Sequence, residues 1–195
     1  MVRLLCVLSF VLVWAEGSAM AAPISFTEGS DFPNGSGSAL PVGTLDVGAN
    51  TISGLVPAQF NGPTTGDSDY FKVTLPGTLS ISTMVLAVSN FVDAAVGSNS
   101  SVAVLSPGSG SQSFNGNGTV SISPFTISGS TITFGLTPGL VGFAQPPPNP
   151  PFFTTDGFSY TLTINVVPIP EPGTGALLAL GVACMGLVRR ARRTS

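Results

Sequence analysis

The chain contains no histidine, and its two cysteines, Cys6 and Cys184, both fall inside terminal apolar segments. The first absence removes the usual general base and the commonest metal ligand. The second leaves the middle of the chain without a disulfide or a thiolate metal site. Tryptophan occurs once, at Trp14 in the first apolar segment, so the middle keeps only Tyr70 and Tyr160 as polar aromatics among many phenylalanines.

Charge is equally scarce: 8% of residues are Asp, Glu, Lys or Arg, about a third of what an ordinary soluble domain carries. Arg3 opens the chain, Arg189, Arg190, Arg192 and Arg193 close it, and Lys72 is the only cation between them. Over residues 22–172, eight carboxylates against Lys72 leave a formal charge of −7. Nucleic acid is therefore not expected as a partner, because its binding rests on clustered Lys and Arg that neutralise phosphates. A chain of 195 residues has room for one core with appendages. Ser, Thr, Gly, Pro and Asn stand where charge is missing.

What is present is most specific at the two ends. Residues 1–21 follow the order of a secretory signal peptide: Arg3, an apolar run over 4–15, then small residues that include Ala19 and Ala21. Export and cleavage after Ala21 are expected. At the other end, Pro168, Pro170 and Pro172 put three prolines in five residues, a composition that joins neither a ladder nor a helix interior and stays open to a processing enzyme.

Residues 174–188 follow without a charge. As a transmembrane helix they would span about 22 Å, short of the roughly 30 Å hydrocarbon layer. Such a segment stops transfer but anchors weakly, with Arg189, Arg190, Arg192 and Arg193 held on the cytoplasmic side.

The order of these parts over residues 167–193, with Pro170-Glu171-Pro172 at its head, resembles the PEP-CTERM sorting signal. The resemblance implies an exosortase-type membrane protease as partner, cutting near Pro170-Glu171-Pro172 after a transient stay in the inner membrane. It further implies delivery to the cell surface or to an extracellular polysaccharide matrix.

Between the ends, apolar residues recur at every second position and Gly, Pro, Asn and Ser clusters interrupt the chain every ten or so residues. This is a strand pattern. In residues 69–75 the alternation sends Phe71, Val73 and Leu75 inward and Tyr70, Lys72 and Thr74 outward. In residues 159–167 it sends Tyr160, Leu162, Ile164 and Val166 inward. Further strands are expected from Leu79 through Leu86 and over 101–105, 119–127 and 131–136, while residues 145–153, with their proline run, read as a stiff loop.

Seven or eight short strands call for two packed layers, since one open sheet would leave an apolar face wet. The expected fold is all-β, an antiparallel two-sheet β-sandwich of jelly-roll type over residues 47–167. A signal helix precedes it, a flexible Gly/Ser/Pro-rich segment covers 22–46, and the sorting signal with its transmembrane helix covers 168–195. The segments 50–54, 66–81 and 160–166, with Asp67-Ser-Asp69-Tyr70-Phe71 as the most distinctive stretch, resemble the bacterial pre-peptidase C-terminal domain. That resemblance implies a small jelly-roll-like fold of the kind appended to secreted enzymes.

Asp67 and Asp69 form the sharpest acidic pair. An Asp-x-Asp loop offers carboxylate oxygens to calcium, and Asp before a strand also bonds its own turn. A glycosidase needs two carboxylates across a sugar, and the spacing of Asp67, Asp69, Asp93 and Asp156 singles out no pair. A serine nucleophile would have no histidine beside it. No enzyme activity and no cofactor are therefore expected; the turn role is the favoured one for Asp67 and Asp69, and calcium is the one ion the pair leaves open. The leading expectation is a noncatalytic envelope or matrix protein associated with exopolysaccharide. The alternatives are a carbohydrate-binding module and a calcium-dependent secreted hydrolase using Asp67 and Asp69.

Overall fold

Strand alternation dries one face of each segment and wets the other, and the strands pair accordingly. The computed structural model describes residues 22–29, 31–62, 67–106, 110–122, 130–143, 152–169 and 180–182. The cleavage residues Ala19 and Ala21, the sorting residues Pro170, Glu171 and Pro172, and Arg189, Arg190, Arg192 and Arg193 lie outside these. So do both expected terminal helices, except that residues 180–182 are helical.

One five-stranded sheet holds, in spatial order, β1 (Ser25–Thr27), β3 (Gly48–Val56), β13 (Gly157–Pro168), β6 (Leu79–Val92) and β9 (Gly118–Ile122). A second holds β2 (Leu40–Thr44), β5 (Asp69–Leu75), β10 (Ser130–Thr137), β7 (Ser100–Ser106) and β8 (Gly110–Phe114). A small third sheet orders β11 (Leu140–Phe143), β12 (Phe152–Thr155) and β4 (Gln59–Gly62).

The two large sheets are mixed, which corrects the expectation of purely antiparallel layers: β1 runs parallel to β3, and β2 parallel to β5. The cause is the path of residues 22–46. After β1 the chain enters the second sheet as β2 and returns to the first as β3. Such a crossover permits parallel pairing, which a tight hairpin cannot give. Although Gly- and Ser-rich, this segment also places Phe32 and Leu45 at 1% exposure in the core.

Both sheets feed one hydrophobic cluster. Phe71, Val73, Leu75, Ile132, Phe134 and Leu136 reach it from the second sheet, and Ile52, Leu86, Leu162 and Ile164 from the first. Phe26, Phe32, Phe71 and Phe134 form a run of rings with successive centroids 5.8, 5.2 and 5.4 Å apart. The fully buried rings Phe32, Phe71 and Phe134 each contribute about 1.5–3 kcal/mol, while Phe60 and Phe143 stay exposed.

A buried polar knot lies just before β13. Asp156, fully enclosed between β12 and β13, accepts the backbone N–H groups of Ala94 and Ala95 at 3.1 and 2.9 Å and the Ser100 hydroxyl at 3.0 Å. The Ser100 hydroxyl in turn accepts the Gly139 N–H at 2.9 Å. Asp156 thus ties the turn after β6 to the start of β7 and the β10–β11 turn.

Candidate functional site

Asp69 opens β5, and strand parity turns its side chain to the same side as Phe71 and Val73. Its residue is 0% exposed. Loop residues then converge on it. Glu28 follows β1 directly, Asp31 lies three residues on, and Asp67 precedes β5. Carboxylate oxygens of Glu28, Asp31 and Asp69 all lie within 4.8 Å of one another. Glu28, Gly29, Asp31, Leu55, Pro57 and Asp67 line an open depression of about 320 Å³ over this cluster.

Glu28 is the fixed member. Its carboxylate accepts the Phe32 N–H at 2.6 Å and the Leu55 N–H at 3.0 Å, pinning the loop after β1 to β3. Asn34 holds the other side by accepting the Ser68 N–H at 2.5 Å. Space for the cluster comes from Gly54: a Cβ there would lie 2.5 Å from the Tyr160 hydroxyl and 2.6 Å from Glu28 Oε2.

Asp69 is the strained member. Among the described residues neither of its oxygens has a hydrogen-bond partner, nor has the Tyr160 hydroxyl or Asp67 Oδ1. Burial, offset in part by the nearby Tyr160 hydroxyl and reinforced by the charges of Glu28, Asp67 and Asp31, pushes the Asp69 carboxyl up to about 8. Tyr160 is close enough to act on Asp69 electrostatically without reaching hydrogen-bond geometry. Burial, with Asp31 beside it, raises Asp67 to about 6. Burial and the Asp69 charge raise Tyr160 as well.

Four acids gathered with no cation beside them among the described residues are a costly arrangement, and its donor set suits a hard ion. Calcium takes oxygen ligands at about 2.3–2.6 Å, so oxygens on opposite sides of one ion are separated by about the spread seen here. An orphaned buried carboxylate facing two more is what such an ion would satisfy. The residues therefore fit calcium: Asp69, Glu28 and Asp31 as ligands, with Asp67 at the rim.

The sequence pair Asp67 and Asp69 is thus brought together, but Glu28 and Asp31 complete the cluster from a distant stretch. No local motif marks them. Their only signal was that two of eight acids fall within four residues in an acid-poor chain. Asp156 does not join the cluster and is committed to its turn knot. The final strand β13 leaves the domain through Val167 and Pro168, and the Ile169 N–H donates to the Thr78 carbonyl at 2.8 Å.

Directly there, over residues 168–193, a family model matches. The chain carries a PEP-CTERM protein-sorting motif. The PEP-CTERM motif marks an exported protein that passes through the membrane and is processed by an exosortase, itself a membrane protein. No helix among the described residues is long and apolar enough to cross a membrane, and the apolar stretch of the PEP-CTERM motif lies outside them apart from residues 180–182.

Among solved structures, the chain is similar to the pre-peptidase C-terminal domain of collagenase from Bacillus anthracis, at 12% identity and a TM-score of 0.32, covering 71% of this chain and 100% of that one. It is also similar to the mosquito-larvicidal Cry4Aa toxin from Bacillus thuringiensis, at 9% identity and a TM-score of 0.34, covering 69% of this chain and 25% of that one. No curated protein matches the chain by sequence.

Proposed function

We propose that the chain is an exported, noncatalytic protein of the cell envelope or extracellular matrix, cut near Pro170-Glu171-Pro172 and left as a jelly-roll-like β-sandwich that holds calcium. The observation that carries the sorting half is the motif, which begins at residue 168 where β13 ends. Mass spectrometry of the secreted protein tests it: the expected product ends near residue 172, and a product retaining Arg189 overturns it.

The calcium half rests on Asp69, buried with both oxygens unpartnered against Glu28 and Asp31. Calorimetric titration of the full chain with calcium chloride should show one site, abolished by Asp69→Asn. Heat of binding unchanged in that variant would refute the assignment.

A hydrolase using Asp67 and Asp69 draws on the same pocket, since two carboxyls raised to about 6 and about 8 resemble an acid and base pair. Enclosure favours the noncatalytic reading: Asp69 is 0% exposed and is not among the residues that line the open depression. Release of reducing sugar from polysaccharide substrates, lost in Asp67→Asn, would reverse that preference.

A further inference from the structure

We infer that the outward face of the second sheet around Tyr70 and Lys72 binds a polysaccharide whose sugars carry carboxylates. Tyr70 stands opposite Gly135 on the neighbouring strand. A Cβ on Gly135 would lie 2.7 Å from Tyr70 Cε1 and 3.4 Å from Leu105 Cδ1. The ring therefore lies down over the glycine with Leu105 at its side, half-buried, with the small Ala103 next across the sheet. Covering a strand glycine explains why the ring lies flat. It does not explain what stands next to it.

Lys72 points to the same face as Tyr70, two residues along, about 7 Å away by strand geometry. It is the only cation of the exported region, where eight carboxylates were available to pair with it. Yet among the described residues its ammonium has no carboxylate partner. Strand parity puts Asp69 on the opposite side of β5, and the acidic pocket opens beside Leu55 and Pro57 of the other layer. The face around Lys72 instead offers Thr133 as its cross-strand neighbour and Thr74 along the strand.

An aromatic plate, a lone ammonium and threonine hydroxyls form one chemical specification. The C–H face of a pyranose packs on a phenol ring, hydroxyls bond threonine, and a carboxylate on the same sugar reaches the ammonium. The domain's net negative charge does not forbid this, because charges beyond about 8 Å are screened at physiological salt. The inference extends the matrix reading above and rests on it only for the presence of such a polymer.

The test is calorimetry or saturation-transfer NMR on the full chain with an oligo-mannuronate hexamer, against cellohexaose as an uncharged β-1,4-linked hexamer. The hexuronate is expected to bind more tightly than cellohexaose and to weaken with added salt. Lys72→Met should cost about tenfold in affinity and remove the preference for the acid, while Tyr70→Phe retains binding. Tyr70→Ala should abolish it, and Lys72→Met guards that result should Tyr70→Ala fail to fold. Equal binding of both hexamers, or Lys72→Met binding as the parent does, overturns the inference. If the secreted protein is correctly processed and still binds neither hexamer, this inference falls while the sorting proposal stands.

Discussion

A carboxyl pushed to about 8 is protonated through most of the neutral range, and Asp69 shares its pocket with Asp67 at about 6. Both folded values lie above the ordinary 3.8 of the unfolded chain. Between pH of about 4 and 8, then, the folded state binds more protons than the unfolded one, and its stability falls as the pH rises. In a chelator the unfolding temperature should be higher at pH 5 than at pH 8.5, with most of that slope absent in Asp69→Asn. Calcium competes with the same protons, so saturating calcium should flatten or invert the slope. A thermal-shift series over pH, with and without calcium, reads both effects, and a chelated protein that gains stability toward pH 8.5 would contradict the account. Gly54 belongs to the same scale: Gly54→Ala drives a methyl into Tyr160 and Glu28 and should cost about 1–3 kcal/mol in urea unfolding, with weakened calcium binding.

Among the elements, β5 and β13 could be read directly from the sequence because they alternate without interruption and each buries one full face. The long β6 shows where alternation alone stops working. Leu79 and Ile81 are buried, and so are Met84, Leu86 and Val88, which breaks the parity. The register against β13 shifts between Asn165 and Val166, and Ser82 and Thr83 are consecutively exposed, so one extra residue resets the inward phase. Short strands such as β1, β4, β11 and β12 were not foreseeable, because three or four residues carry too little pattern and gain their order from neighbours. The same holds for the site. Asp67 and Asp69 share a local motif, while Glu28 and Asp31 arrive through a crossover that no spacing announces. The Asp156 knot is also non-local, and it makes a prediction at this scale. Asp156→Ala would leave the Ala95 N–H and the Ser100 hydroxyl without this acceptor and the Ala94 N–H with the Val92 carbonyl alone, at a cost of about 3 kcal/mol. Hydrogen exchange should quicken at Ala94 and Ala95 while β3 and β13 keep their protection.

For the molecule as a whole, the decisive relation is between the processing signal and the sheet it follows. β13 is the middle strand of the first sheet, paired along its length with β3 on one side and β6 on the other. Its inward residues Phe158, Tyr160, Leu162, Ile164 and Val166 are all at or below 2% exposure. The PEP-CTERM match begins at residue 168, where that strand ends. A cut inside the motif therefore leaves the described core side chains of β13 in place, whereas a cut a few residues earlier would open the sheet at its centre. A chain ending at Ile169 keeps the bond from its N–H to the Thr78 carbonyl and should unfold within about 0.5 kcal/mol of the longer form. A chain ending at Thr163 loses Ile164 and Val166 from the core, each worth about 1.5–3 kcal/mol, together with their ladder bonds, and should lack a cooperative transition. Equilibrium urea unfolding of the two truncations distinguishes these outcomes. A stable fold in the shorter one would mean that the last strand is not what holds the sheet together.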